Sequence, residues 1–499
     1  MTPFQSVVII GAGFGGLAMA LELKRHGHDN FTILEKAADI GGVWRENTYP
    51  GAGCDIPSPY YSFSFAPNPT WPMRFSLQAD IHDYMKRVIA SYDLESHIRF
   101  ETEVTACRFD DGWHVETASG ETFRADVLVP AMGQLSRPAL PSIPGRKTFA
   151  GPAFHSASWR HDVDLRGKRV AVIGTGASAI QFVPRIQPIV GALTVFQRTA
   201  PYVAPKPDRR YHPAHHWLFR HFPPARLAER GAWWLLCEVS TMAIVGNKTI
   251  SRVITWVTRM HLRRKVRDPQ LRAKLTPDYP VGCKRVLFAN DYYPALTQPN
   301  VHVETTPIES ITPDGVRTAD GVDHPADVVV YATGFATTEL LAPVKITGLD
   351  GKHLQDVWAQ GARAYLGLAV PGFPNLFLMY GPNTNLGAGS IIYMLERQAR
   401  YIRQLVSHGG RLDVRADVEQ RYDDEVQSRL ADTAWAGCAS WYRQDNGRIS
   451  ANWPGLVSEY SRRTRRVNFA DYQTTIPDRA TVGAATTPRV ARAEKEGRP

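Results

Sequence analysis

Glu35 and Arg198 carry opposite charges at matching places in two copies of one pattern. Each stands 24 residues after the first glycine of a Gly-x-Gly turn, Glu35 after Gly11 and Arg198 after Gly174. Both turns follow a short apolar run and open a stretch of helical character. The chemistry of such a strand–turn–helix unit is phosphate binding. The first glycine permits a tight turn, the second lets the backbone approach a pyrophosphate, and a third small residue lets helix and strand pack closely. The helix N-terminus then offers free N–H groups and partial positive charge to the phosphates. In the first unit the residues are Gly11, Gly13 and Gly16, with Phe14 and Gly15 between them. In the second they are Gly174, Gly176 and Ala179, with Ser178 beside the alanine, which is still small enough for close packing. An acid at the end of the following strand suits a free ribose hydroxyl. An arginine there suits a ribose 2′-phosphate, gripped by two parallel hydrogen bonds. The first unit is therefore predicted to hold an adenine dinucleotide without the extra phosphate, and the second to hold NADP.

The elements that must position these residues are legible around them. Val7-Val8-Ile9-Ile10 and Phe31-Thr32-Ile33-Leu34 read as strands, with a helix from Leu17 to Leu23 between them. Ile81 to Tyr92 has helical spacing, Ile98 to Cys107 reads as one strand, and Trp113 to Thr117 as another. Ala125-Asp126-Val127-Leu128-Val129 recurs as Ala326-Asp327-Val328-Val329-Val330, each copy after a hairpin-like stretch with a glycine turn. Each unit thus ends in the same kind of strand. The second unit is longer and must carry an insertion, placed between Pro205 and about Pro280, where the pattern becomes helical, Trp-rich and basic. Beyond Gly334 the chain is expected to return to the first unit. Phe373 to Thr384 reads as strand then turn, and Ser390 to Ser407 as a helix whose N-terminus faces the ring end of a bound cofactor. The predicted fold is α/β, two Rossmann-like dinucleotide-binding domains with a helical insertion in the second. The expected boundaries are 1–146, 147–207, 208–280 for the insertion, 281–330, 331–473, and a tail from 474 to 499 read as disordered from its Ala, Thr, Arg and Glu content.

Composition narrows the class. With 499 residues, 43% apolar and 21% charged, the chain is long enough for two or more domains with ample core. The net charge of +10 reads as a solvated basic surface spread over the chain, with clusters at 259–272 and 462–466, and no nucleic-acid motif accompanies it. Five cysteines, Cys54, Cys107, Cys237, Cys283 and Cys438, are odd in number and widely spaced. They fit reduced thiols in a cytoplasmic protein, and no metal-ligand spacing is present. The apolar run from Ala232 to Val245 contains Glu238 and is too short to span a bilayer; it reads as a buried or partner-facing helix.

Phe149-Ala150-Gly151-Pro152-Ala153-Phe154-His155-Ser156-Ala157-Ser158-Trp159, between the two glycine turns, matches the Phe-x-Gly-x-x-x-His-x-x-x-Trp fingerprint of class B flavoprotein monooxygenases of the Baeyer–Villiger type. The resemblance runs from Val7 to about Tyr472. It includes Gly41-Gly42-Val43-Trp44, Tyr49-Pro50-Gly51, Gly282-Cys283-Lys284-Arg285, Ala332-Thr333-Gly334-Phe335 and Gly381-Pro382-Asn383-Thr384. The family usually has proline after the fingerprint tryptophan where this chain has Arg160, a departure that bears on the local backbone path. The resemblance implies FAD on the first unit and NADPH on the second. NADPH would reduce the flavin, which takes up O2 to form a C4a-peroxyflavin that inserts one oxygen beside a ketone carbonyl, giving an ester or lactone. It further implies Arg285 as the catalytic arginine, Asp55 as the acid that holds it, and Lys284 as a second grip on the 2′-phosphate beside Arg198 and Thr199. A guanidinium cannot lose its proton, so it would keep the peroxide anionic and stabilise the oxyanion formed on attack. By the same resemblance Trp44, Tyr61, Asn383 and the backbone near Val104 contact FAD, and Gln181 lies on the nicotinamide side. Trp453 either closes over NADP or fills the core, and His155 serves linker geometry.

Three other readings share parts of this pattern. A related class B enzyme would oxygenate nitrogen or sulfur; Trp159 and the Asp55/Arg285 pair favour the ketone. A pyridine-nucleotide disulfide reductase has both dinucleotide units but needs a redox cysteine pair near the flavin, and Cys54 has no such neighbour in sequence. A non-enzymatic NADP-binding protein would be colourless, whereas a flavoprotein is yellow. The substrate is expected to be set by the helical insertion, the loop from Leu386 to Ile391 and the segment from Ala434 to Asn452.

Overall fold

Continuous apolar strands demand cover on both faces, and both glycine-turn units receive it as parallel sheets. In the computed structural model, which describes residues 5–337, 339–438 and 442–475, the first sheet has four parallel strands. Their order is Ile98–Arg99, Phe31–Leu34, Val7–Ile10, Val127–Pro130. Val7–Ile10 and Val127–Pro130 are buried at every position. The second sheet has five parallel strands in the order Val301–Glu304, Ala192–Phe196, Arg169–Ile173, Val328–Tyr331, Ala153–His155. In each sheet the repeated Val-rich strand lies directly beside the strand that enters the glycine turn. This is the architecture expected of two Rossmann-like units.

Several local expectations change. The single strand read from Ile98 to Cys107 is two strands in two sheets. Glu101 adopts φ 52°, and its N–H and that of Thr102 bond to Ala37 and Glu35 carbonyls, so the chain turns there. The second piece, Val104–Phe109, joins an antiparallel meander with Trp113–Thr117 and Thr122–Ala125. The strand read at Phe373 forms only isolated bridges, Leu376 beside Leu128 and Phe377 beside Ala369, but Phe377 and Met379 N–H groups still donate to Leu128 and Pro130 carbonyls. The returning chain therefore does lie on the first sheet. Its helix, Ile391–His408, packs on the helix of the first glycine turn, Phe14–Lys24, where Arg403 meets buried Glu22 at 3.1 Å. The longer second unit carries helices Pro213–His221, Pro223–Ile244, Lys248–Lys265 and Pro269–Lys274. Tyr472–Thr475 is a strand against Arg411–Val414, so the first two residues read as tail are paired; positions 476–499 lie outside the described residues.

The cysteines require a correction. Cys283 and Cys438 form a disulfide across a sequence separation of 155, with Cα atoms 6.2 Å apart; Cys54, Cys107 and Cys237 are free. Spacing in sequence could not reveal a pair made by two loops meeting in space. Among the described residues no helix is long and apolar enough to cross a membrane.

Candidate active site

The glycines of the two turns divide into those the protein itself requires and those it does not. Gly11 has φ +102°, and a Cβ there would meet the Ala131 carbonyl oxygen at 3.0 Å. A Cβ on Gly16 would fall 1.9 Å from the Gly11 carbonyl oxygen, so only glycine lets this helix sit on its own turn. Gly174 repeats Gly11, with φ +105° and a Cβ contact of 2.5 Å to Ala332. Gly13 and Gly176 differ. Their φ values, −80° and −76°, suit any residue, and a Cβ would come no nearer than 3.8 Å to other atoms. Both are helix N-caps without a side-chain cap. The bareness of these two positions is matched to something outside the protein that approaches the backbone, as a pyrophosphate does. Gly15 makes only ordinary contacts.

Glu35 lies where the spacing places it. Its Oε2 accepts from Ala12 N–H at 2.7 Å and its Oε1 from Ala37 N–H at 3.0 Å. The buried carboxylate thus anchors the glycine turn at the edge where a ribose would lie. Beside this turn, Phe14 meets the Tyr61 ring edge-on at 5.6 Å, and the Trp44 indole N–H donates to the Tyr61 hydroxyl at 3.1 Å. Val104 packs with Val8, Ile10 and Leu34 on the other face of the first sheet.

At the second turn, Gly174 N–H bonds to Phe196 O, and Thr175 Oγ1 donates to the Thr199 carbonyl at 3.3 Å. This draws the strand end that carries Arg198 to the turn. Lys284 joins it from a loop 86 positions away in sequence. Burial pushes the Lys284 ammonium below its usual range, and the nearby Arg198 cation pushes it further. Neither has a carboxylate within 4 Å among the described residues. Arg198 and Lys284 form a cationic edge, tempered by the Asp278 carboxylate, that suits a doubly charged group such as a phosphate.

Gln181, expected on the nicotinamide side, makes contacts within the protein. Its Oε1 accepts from the Tyr49 hydroxyl and Gly53 N–H, and its Nε2 donates to Gly53 O at 2.9 Å. It braces the second unit's helix against the Tyr49–Gly53 loop of the first. Ser178 lies on the same helix as Gln181. Asn383 spends both amide hydrogens on Ile449 and Asn452 carbonyls and is a latch between loops. Trp453 is fully buried, its indole N–H on Leu456 O and its ring against Tyr460, so it fills the core. The fingerprint segment supplies the edge strand Ala153–His155. Trp159 closes over Phe154 and Phe182, His155 Nδ1 accepts from Ala157 N–H, and burial lowers the His155 pKa. Arg160 pairs with Asp162 at the surface and leaves this path intact.

Asp55 and Arg285 meet as an ion pair. Arg285 Nη2 donates to Asp55 Oδ1 at 2.7 Å and Nε to Oδ2 at 3.1 Å. The Asp55 carboxylate is the main cause of an Arg285 pKa raised above its already high value. The guanidinium stays partly open, 37% exposed. Tyr380, Tyr442 and Cys54 also face it electrostatically. Tyr380 and Tyr442 were missed in the sequence. Tyr380 directly precedes the quoted Gly381 turn, and its φ of 59° marks a special backbone position. The three segments expected to shape the substrate space do converge. Cys237 of the helical insertion feels both Asp55 and Arg285, and its Cβ lies 3.9 Å from where a Gly389 Cβ would be. Gly387 is pressed between Ile244 and Trp435. The disulfide Cys283–Cys438 ties the arginine loop to the last of these segments.

Comparison with known proteins bears on the fold and the family. Residues 8–212 match the pyridine nucleotide-disulphide oxidoreductase family model. The chain is 45% identical over 489 residues to a Baeyer–Villiger monooxygenase of Streptomyces coelicolor, covering 96% of this chain and 94% of the relative. It is 40% identical over 508 residues to a Baeyer–Villiger monooxygenase of Pseudomonas aeruginosa, covering 99% and 95%. A cyclohexanone monooxygenase from Rhodococcus, solved bound to NADP+, superimposes with TM-score 0.84 at 27% identity, covering 95% of this chain and 99% of that one. A complex of OTEMO with FAD and NADP superimposes with TM-score 0.85 at 28% identity, covering 95% and 100%. A flavin-bearing fold with two dinucleotide cradles and near-full-length likeness of this order leaves one assignment: the chain belongs to the Baeyer–Villiger monooxygenase family.

Proposed function

We propose that the protein is an FAD-dependent, NADPH-consuming Baeyer–Villiger monooxygenase acting on a small ketone. It inserts one atom of O2 beside the carbonyl, and the other atom leaves as water. The observation that carries this reading is the two-pronged Arg285–Asp55 pair, in a fold that also has two glycine cradles of different polarity.

The residues fit the cofactors. The first cradle, bare at Gly13 and edged by Glu35, suits FAD, whose ribose carries free hydroxyls. The second, bare at Gly176 and edged by Arg198 and Lys284, suits NADPH with its 2′-phosphate. Bound FAD, reduced by NADPH, supplies the activated oxygen. Arg285 supplies a charge that no accessible pH removes, and Asp55 fixes its orientation and raises its pKa further. A cation preorganised in a partly desolvated site stabilises the negative charge that grows on a carbonyl oxygen under attack. Half-buried Tyr380 keeps its phenol proton and donates to Asn385 Oδ1 at 2.7 Å, so it stands near Arg285 as a neutral wall. Gln181 and Tyr49 brace the second unit's helix against the Tyr49–Gly53 loop of the first.

The test is product analysis of the yellow holoenzyme with NADPH, O2 and a panel of ketones that includes a sulfide. Esters or lactones support the reading. Sulfoxide alone, with NADPH consumed, would move the protein to heteroatom oxygenation.

A further inference from the structure

The helix Pro223–Ile244 has two faces with opposite fates. Its inner face is locked to the body of the protein, where buried Glu238 accepts from Val457 N–H at 2.8 Å. Its outer face is open. Leu227 (60% exposed), Leu235 (56%), Leu236 and Val239 recur at helical spacing, with small residues at 228, 231 and 232 between them. No charged side chain interrupts this stripe over more than three turns. The next helix, Lys248–Lys265, folds back against it and exposes Val253 and Trp256 between Arg252 and Arg259. Trp217 (63%) and Phe222 are exposed just before Pro223–Ile244.

The charge of the chain gathers in the same place rather than spreading evenly. Residues 213–275 contain twelve Lys and Arg against three acids, a net +9 of the chain's +10. Two of those acids are spent inward: Glu238 is buried, and Glu229 pairs with Arg74 and accepts from Tyr211. Arg252, Arg259, Arg263, Arg264 and Lys265 are exposed and make no ion pair among the described residues. A second copy is poorly suited to this face, because a two-fold interface would set the same uncompensated cations opposite each other. An anionic lipid surface matches both halves. Leucines and tryptophans enter the headgroup–acyl boundary while arginines and lysines meet the phosphates. The helix cannot cross the bilayer, so it would lie in its surface.

We propose that the helical insertion docks the protein peripherally on anionic membranes, with the outer face of Pro223–Ile244 in the interface plane. The proposal concerns this surface and does not depend on which substrate is oxidised. The same helix presents Cys237 toward Asp55 and Arg285, so the docked face and the candidate site share one element.

The experiment is cosedimentation of the full-length flavoprotein with vesicles of equal parts phosphatidylglycerol and phosphatidylcholine, against phosphatidylcholine alone. Partition into the anionic vesicles that weakens with added salt is expected. Leu235→Glu combined with Leu236→Glu should lower it about ten-fold or more, with flavin absorbance and NADPH oxidation retained. Trp256→Ala, a gentler change on the neighbouring helix, should lower it in the same direction. Equal partition of the parent and both variants would overturn the proposal, as would absence of vesicle binding. A dimer in sedimentation equilibrium that the double variant abolishes, without vesicle binding, would assign the face to a second copy instead.

Discussion

Arg285 and Asp55, 230 positions apart in the chain, are joined by two parallel hydrogen bonds of 2.7 and 3.1 Å. The pair joins the loop that carries Lys284 to the segment that follows Gly53. Its geometry fixes where a permanent positive charge stands.

Arg285→Ala should leave flavin reduction by NADPH nearly unchanged and lower ester formation by about 10²–10³-fold. Stopped-flow absorbance reports the first step and product chromatography the second. Lysine should not rescue, because an ammonium cannot make the two-pronged contact with Asp55. Asp55→Asn keeps the shape but lets the guanidinium drift, so a smaller loss, about ten-fold, is expected. Wild-type ester formation in R285A would refute the role of this residue.

Arg198→Ala should raise the KM for NADPH about ten-fold or more and leave that for NADH nearly unchanged. Lys284→Ala should act in the same direction. The double variant should fall short of the product of the two effects if both cations hold one phosphate. Equal effects on both coenzymes would show that the cations serve structure instead.

Gly13→Ala and Gly16→Ala should separate binding from folding. At Gly16 a Cβ would lie 1.9 Å from the Gly11 carbonyl oxygen, so the variant is expected to fold poorly or not at all. At Gly13 the backbone accepts a side chain, with the nearest atom at 3.8 Å. That variant should keep the unfolding temperature of the apoprotein but bind FAD about ten-fold more weakly or worse. Flavin titration beside calorimetry reads both. Tight FAD binding by G13A would remove the argument from that cradle.

Glu419 provides a pH test of the core. Burial raises its pKa from 4.5 to about 7, with Arg363 opposing at 3.4 Å. The folded state therefore holds this proton more tightly than the unfolded state. Stability should fall as pH rises from about 4.5 toward about 7 and stay lowered above that. Glu419→Gln, which resembles the protonated acid, should be neutral near pH 4 and stabilising at pH 8, on the order of 2 kcal/mol. Thermal unfolding across pH measures the difference; an unchanged pH slope in E419Q would discard the assignment.

Local order was legible because each cradle is built from neighbouring residues. The turn at Gly11, the close packing at Gly16 and the reach of Glu35 to Ala12 all follow from spacing within one strand–turn–helix unit, which the chain repeats at Gly174 and Arg198. Such contacts need only backbone geometry and a short connection. The Arg285 loop was different. Alone, Lys284-Arg285 is a basic pair like many at the surface, and only folding brings Asp55, Tyr380 and Tyr442 around the guanidinium. The disulfide between Cys283 and Cys438, the bracing role of Gln181 and the burial of Trp453 were decided in the same way. Each depends on which distant loop fills the neighbouring space, and pattern within a window of sequence carries no record of that. The amino-acid sequence by itself determined two dinucleotide units and the charge that distinguishes them. Resemblance named Arg285 and Asp55, and the tertiary structure decided which further residues gather there, Tyr380 and Tyr442 among them, because a site made of loops from several elements exists only once their core has packed.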